Sequence, residues 1–434
     1  MNLPVPSPRA RLVLVVCSFA LALFLVFFSV RNAVAAYYLG LDTRAGYERA
    51  VRLEPHNSRN WYLLGRSYFY DFDEPDPVRA VAAFQRAADL EPYSAAALLD
   101  LAAAYESQGQ TGEAGYALVS AQRVYPLSAD VAWSYGNFLL RQGENNRGFA
   151  ELRKALELDP KRVSEAFGRA LAVEPDPSVV LEKVVPRSTA AYLPLLRFES
   201  DYGSAAVAEL VWYRLVSLGQ KVALGDVLPF FSALVRSDRP EDAARLWPEA
   251  VGIMGNPPPP DPPGSLIWDG GFESGIAGGG FGWLFSPASG DAQTSFDRSE
   301  KHSGQQSVRI LFNGRKNISF EDSCHLFVPQ PGRLYELTGW VKTESLTSSE
   351  GVRLKISAAS RAGDIIAESG EIHGTQPWSE LRVRWKAPED AGLGKVCVQR
   401  HMSDKPGSAI QGAAWIDDVA LMPVDAREEA PQKP

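Results

Sequence analysis

Cysteine, methionine and histidine are all scarce in this chain, with three, four and five residues respectively among 434. Cys17, Cys324 and Cys397 are too few for a four-thiolate zinc site or a disulfide framework. His56, His302, His325, His373 and His401 are scattered and form neither an HExxH nor a His-x-His pair. There is no lysine-arginine block, and 44 basic against 52 acidic residues leave a formal charge of −8, which excludes a dedicated nucleic-acid binder. Gly394-Lys395 lacks the upstream glycine of a P-loop, and the glycine-rich stretch 275–282 lacks GxGxxG spacing. No GxSxG elbow occurs. Asp417 and Asp418 are neighbours in a strand-like run, where alternation sends side chains to opposite faces and separates a would-be glycosidase pair. The chain therefore reads as non-enzymatic. What is present, 45% hydrophobic and 22% charged residues, suits two or three folded domains.

Leu12 to Val30 run for 19 residues without a charge between Arg11 and Arg31. At 1.5 Å per residue this matches the hydrocarbon thickness of a bilayer and predicts one spanning helix. A cleaved signal peptide is the competing reading, because Ala33-Val34-Ala35 has small-x-small spacing, although the apolar run exceeds the usual 7–15 residues. Arg9 and Arg11 precede the run while Arg31, Arg44 and Arg49 follow it, so the charge contrast that orients a span is poor.

Leu53-Glu54-Pro55, Leu90-Glu91-Pro92, Val124-Tyr125-Pro126 and Leu158-Asp159-Pro160 recur with proline spacings of 37, 34 and 34. A period of 34 is that of a helix-turn-helix unit closed by a proline. Trp61, Leu64, Gly65 and Tyr68 fall on one helix, and Ala80, Phe84, Ala87 and Pro92 on its partner. This closely resembles the tetratricopeptide repeat, including its W-x₂-L-G-x₂-Y opening. Two further units follow in near-register, and Phe230, Phe231, Leu234, Ala243, Trp247 and Ala250 fit one degenerate unit more. The resemblance implies a concave, partner-binding groove lined by first helices, at Arg59, Tyr62, Arg66 and Tyr70, then Leu99 and Ala103, then Trp133, Asn137 and Arg141. Arginines between aromatics suit an extended peptide carrying carboxylates.

NPPPPDPPG at 256–264 cannot be helix or central strand and reads as a stiff polyproline spacer. Beyond it, short alternating runs (307–312, 334–341, 352–358, 380–385, 395–399 and 414–421) predict an antiparallel sandwich or jelly roll. Leu266-Ile267-Trp268-Asp269-Gly270-Gly271-Phe272-Glu273, then Gly282-Trp283, His302-Ser303-Gly304, Thr338-Gly339-Trp340-Val341, Trp378 and Trp415-Ile416-Asp417-Asp418-Val419 follow in order. Together they resemble the galactose-binding-like carbohydrate-binding modules over 265–424. The resemblance implies a glycan-binding jelly roll with Trp283, Trp340, Trp378 and Trp415 mostly in its core. Phe320, Trp385, Arg400 and His401 are left as candidates for the sugar platform. It also implies a structural calcium ion between Glu273 and Asp417, with Asp418 as the alternative ligand. Cys324 and Cys397 either pair in an oxidising compartment or remain two buried thiols.

The expected fold is thus multidomain, α plus all-β. A tail (1–11) leads into a membrane anchor (12–30) and an α-solenoid (37–255). A proline linker (256–264), a β-sandwich (265–424) and a disordered tail (425–434) complete the chain. The expected role is a membrane-anchored adaptor, its bulk periplasmic or at the cell surface, binding a protein partner and a polysaccharide in envelope or exopolysaccharide assembly or export. A purely structural scaffold without glycan binding is the rival, and a glycan-active enzyme a third reading.

Overall fold

The computed structural model describes residues 8–275, 278–285, 290–361, 363–405 and 409–424. The expected disordered tail lies outside them. The chain divides into two compact units, Met1–Pro186 and Arg187–Pro434.

The first unit is helical: α1 (Pro8–Gly40), α2 (Arg44–Leu53), α3 (Ser58–Phe69), α4 (Pro77–Leu90), α5 (Ala95–Ser107), α6 (Thr111–Val124), α7 (Ala129–Arg141), α8 (Asn145–Leu158), α9 (Val163–Leu171) and α10 (Pro177–Lys183). α1 is long and apolar enough to cross a membrane, and its side chains from Leu12 to Val26 are exposed. It outruns the expected span, and at Ala35 it is buried. Five of the helices that follow, α2, α3, α4, α5 and α7, begin where the sequence supplies a side-chain acceptor for the free N–H groups of the first turn: Thr43, Asn57, Asp76, Ser94 and Ser128 each cap one. Helices α3/α4, α5/α6 and α7/α8 are the three repeat units. Within the first, Trp61 Nε1 donates to the Pro55 carbonyl at 2.9 Å, and a Cβ on Gly65 would stand 2.5 Å from the ring of Phe84. That glycine is what lets the two helices touch. Apolar positions three and four apart on α3 to α7 (Leu64, Tyr68, Ala80, Phe84, Leu101, Leu118, Tyr135 and Leu139 among them) form one continuous core. The first half of the chain is a helical-repeat solenoid similar to tetratricopeptide arrays.

The second unit opens with α11 (Thr189–Asp201), α12 (Ala205–Val216), α13 (Leu224–Arg236) and α14 (Pro240–Ile253). Two antiparallel sheets follow. One has the order β1 (Trp283–Leu284), β4 (Phe320–Phe327), β9 (Gly394–Arg400), β6 (Arg353–Ala358), β7 (Ile365–Glu368). The other has the order β2 (Ala292–Asp297), β3 (Ser307–Asn313), β10 (Gln411–Pro423), β5 (Leu334–Leu346), β8 (Gly374–Lys386). Their inner faces meet in a core that includes Val308, Ile310, Leu337, Val341, Leu354, Ile356, Val396, Val398 and Ile416. This is the expected sandwich.

The expected separation at the proline stretch does not hold. Helices α11 to α14 group with the sandwich, and Trp247 of α14 sets its ring against Trp268 at 5.4 Å and Phe281 at 6.0 Å. The physical reason is that Trp247, already edge-on to Phe231 at 5.0 Å, leaves an aromatic surface that the sandwich's opening segment covers. Cys324 and Cys397 form a disulfide between β4 and β9, and Cys17 is free.

Candidate functional site

In the solenoid several of the expected groove residues make contacts that run from first helix to first helix. On α3, Arg66 lies over the rings of Tyr62 and Tyr70 at 5.9 and 5.3 Å and reaches Asp100 of α5 at 3.9 Å. Tyr70 donates to the same carboxylate at 2.9 Å; burial, helped by that charge, pushes its hydroxyl up to about 12. Arg141 of α7 makes a two-pronged bond to Glu106 of α5, at 2.6 and 2.8 Å. Asn137, which is buried, donates to the Trp133 carbonyl and accepts from Arg169 of α9 at 3.0 Å. Arg162 and Arg169 cover the Trp133 ring. Leu99 belongs to the core margin. Arg59 is exposed and makes no ion pair among the described residues. Arg66 and Arg141 are therefore not free forks awaiting a partner's carboxylates, since acids of a neighbouring first helix, α5 in both cases, already hold them.

The sandwich corrects the expected sugar platform. Phe320, Trp385 and Arg400 are 8%, 3% and 0% exposed. Each sits on the inward parity of its strand: Trp385 with Leu381, Arg400 with Val396 and Val398. Trp385 donates to the Ile365 carbonyl at 3.1 Å. Arg400 donates to Ser348 Oγ at 2.6 Å, to Asn317 Oδ1 at 3.1 Å and to the Ile318 carbonyl. His401 is partly exposed, but Nε2 lies 2.9 Å from the Glu368 carboxylate.

A half-buried ring cluster lies elsewhere on the sandwich. Tyr335, Leu337, Gly339 and Val341 point inward on β5, so Trp340 points outward. His302 stacks on it at 4.0 Å and 12°, and Trp378 meets His302 edge-on at 5.7 Å. Both tryptophans are half-buried, unlike Trp283 and Trp415, which are buried as expected. The alternation of β5 is the sequence signal that places Trp340 outward, against its family position. Beside the rings on β8 and β5, Arg382 pairs with Glu336 and Glu380 at 2.9 and 3.0 Å, and Arg384 with Glu336 at 3.0 Å.

The same corner gathers the three expected carboxylates around the His302–Gly304 turn. Asp417, fully buried, accepts the backbone N–H groups of His302 at 2.8 Å and Ser303 at 3.1 Å. Asp418 accepts from Ser303 Oγ at 2.7 Å and lies 2.6 Å from His302 Nδ1. Glu273 accepts from the backbone of Gln305 and Gln306 at 2.7 and 3.3 Å. The expectation that Asp417 and Asp418 face opposite sides fails, because β10 bulges between Asp417 and Ala420 with Asp418 at φ 47°, so both carboxylates reach one turn. Burial pushes Asp417 up to about 6, the backbone N–H of Ser303 opposing and the charge of Asp418 adding. A cavity of about 270 Å³ opens here, with Asp261, Asp269, Glu273 and Asp418 on its walls. Burial likewise pushes Asp269 up to about 6.

For a calcium ion the donor set is a partial fit. Among the described residues, the group of three ligating side chains close enough for one ion is Glu321, Cys324 and Cys397, whose sulfurs are spent in the disulfide. At the carboxylate corner both oxygens of Asp418 are engaged by Ser303 and His302, and both oxygens of Asp417 by the backbone N–H groups of His302, Ser303 and Asp418, so an ion held by Glu273 and Asp417 would have to displace bonds already made.

No family model matches the chain. Over 149 residues it is 31% identical to tetratricopeptide repeat protein 37 of Xenopus laevis, which covers 30% of this chain and 9% of that protein. The chain therefore spans under a tenth of the relative it matches. Among solved structures, a xylan-binding domain of carbohydrate-binding module family 22 is 16% identical, covering 37% of this chain and 97% of that one, with a TM-score of 0.28. MamA is 16% identical, covering 40% and 88%, with a TM-score of 0.29.

Proposed function

We propose that this chain is a membrane-anchored adaptor whose solenoid engages a protein partner and whose sandwich binds polysaccharide, in envelope or exopolysaccharide assembly or export. α1 supports the anchor by length and composition, and the Cys324–Cys397 bond supports an oxidising, extracytoplasmic compartment for the bulk. The observation that carries the glycan reading is the Trp340–His302–Trp378 cluster: ring faces for the apolar side of a pyranose, beside acids and guanidinium groups suited to hydroxyls. Each exposed arginine–acid pair of the solenoid face is worth about 1 kcal/mol or less, so a partner's carboxylates can replace them at small cost.

The test is retention of the full chain, held in lipid nanodiscs, on an array of bacterial and plant polysaccharides. The expected outcome is binding to at least one polymer, abolished by Trp378→Ala while the melting curve stays in place. Failure to retain any polymer, or equal retention by the variant, overturns the glycan reading and leaves a protein scaffold. At the carboxylate corner, calcium held by Glu273 and Asp417 raises the melting temperature by mass action, and Glu273→Gln removes that rise. Coincident melts in calcium and in chelator dispose of the ion.

A further inference from the structure

The second helices of the first two repeat units, α4 and α6, both pack against α5, and a cavity of about 740 Å³ is lined by all three. Its floor is Leu98, Leu101 and Tyr105 of α5. These recur three and four residues apart, a stripe of that helix separate from the one that carries Leu99, Ala103 and Glu106. Asp89 of α4 and Glu113 and Tyr116 of α6 stand at the walls, all three exposed. Among the described residues no lysine or arginine lines the cavity.

The acids here differ from those of the first-helix face. There Asp100 has Arg66, Glu106 has Arg141, and a guanidinium lies over the rings of Tyr62 and Tyr70. In the cavity, neither Asp89 nor Glu113 makes an ion pair or a hydrogen bond among the described residues, and no guanidinium lies over Tyr105 or Tyr116. Burial pushes the Tyr105 hydroxyl above its ordinary value and the charges of Glu113 and Asp89 add to the rise, so both carboxylates act on one point of the floor. The side chain that matches such a lining has an apolar stem and a cationic head. Its stem lies along leucine and tyrosine surface, while the head reaches the carboxylates and the face of Tyr116. At about 740 Å³ the space exceeds one such side chain, so apolar neighbours enter beside it, which a peptide supplies and a small free cation does not. We propose that the cavity between α4 and α6 docks a segment of a partner protein in which lysine or arginine stands among large apolar residues. This rests on the reading of the solenoid as a partner-binding array, but it assigns a different face and the opposite charge preference.

Random dodecapeptides displayed on phage are selected on the full chain in phosphatidylcholine nanodiscs, after depletion on empty discs. The expected result is a set of sequences with lysine or arginine among leucine, isoleucine and phenylalanine. A labelled peptide from that set binds saturably by anisotropy and weakens about tenfold in Asp89→Asn/Glu113→Gln. It weakens further when Tyr116→Ala removes the ring. All three positions are exposed, so the melting curve stays in place. Equal affinity in the double variant overturns the proposal, as does selection of no basic sequence. Acidic sequences alone, lost in Arg66→Glu, leave the first-helix groove standing and overturn this one. A basic peptide that responds to Arg66→Glu and not to the double variant belongs to that groove and overturns it too.

Discussion

His325 shows how a single side chain hides a strand from the sequence. It faces inward on β4 with Phe320, Asp322 and Phe327, so two polar residues stand among the apolar ones, and the register slips between Asp322 and His325, which breaks the two-residue alternation. That is why β4 could not be read from its sequence, whereas β3, β5, β6, β8, β9 and β10 could. Burial holds the imidazole down to about 4, against an unfolded value near 6.5. Below pH 6.5 the unfolded chain takes up a proton that the folded chain refuses. The contribution of His325 is thus complete above pH 6.5 and falls by roughly 3 kcal/mol as the pH drops to 4. Asp269, pushed up to about 6, acts in the opposite sense, since the native state keeps a proton that the unfolded chain releases. A comparison isolates the histidine: His325→Gln keeps an acceptor for the Trp268 N–H but does not titrate. Denaturant midpoints of wild type should fall relative to those of the variant between pH 6.5 and 4, and parallel midpoints would show that His325 is protonated in the native state. At this scale the sequence was most legible where a phrase of residues moved together. Glu273, His302, Ser303, Asp417 and Asp418 all meet at one turn, while Phe320, Trp385 and Arg400, chosen singly, turned out to be interior.

Helices and strands were legible where one period ran uninterrupted. The repeat prolines, the small residues at Gly65, Ala80 and Ala87 and the large ones at Trp61, Leu64, Tyr68 and Phe84 specify a helix pair without reference to the rest of the chain. A bulge is different, because it depends on what the neighbouring strand and turn require. Nothing in Trp415-Ile416-Asp417-Asp418-Val419 announces that Asp418 leaves the alternation. The close approach at Gly65 gives a prediction at this scale. Gly65→Ala drives a methyl group into Phe84, which is fully buried, and should cost about 1–3 kcal/mol despite alanine's better helix propensity. The measurement is the urea midpoint of the helical circular-dichroism signal, where a stabilised variant would show that α3 and α4 have room to part.

Across the whole molecule, the boundary suggested by composition and the boundary set by packing differ. Consecutive prolines mark a change of secondary structure, and here they do not mark the end of a domain. Phe231, Trp247, Trp268 and Phe281 share one aromatic cluster across them. A fragment beginning at residue 264 strips that cluster of Trp247, whereas a fragment of 187–424 keeps it. The longer fragment should unfold cooperatively at a higher temperature, and the shorter should bind more of a hydrophobic dye such as ANS. Equal melting temperatures would show that α11 to α14 lend the sandwich nothing.

One continuous rod has a mechanical implication. α1 runs from Pro8 to Gly40 as a single helix of 33 residues, about 50 Å long, without an internal hinge. Its last turns are fastened to the first short helix of the array: the Tyr38 carbonyl lies against Gly46 with no room for a Cβ, and Arg49 covers the Tyr38 ring at 5.2 Å. Such a joint transmits torque. Rotation of the apolar end about its own axis turns the first repeat through the same angle, so whatever fixes the azimuth of that end also aims the face that carries Tyr62, Arg66 and Tyr70.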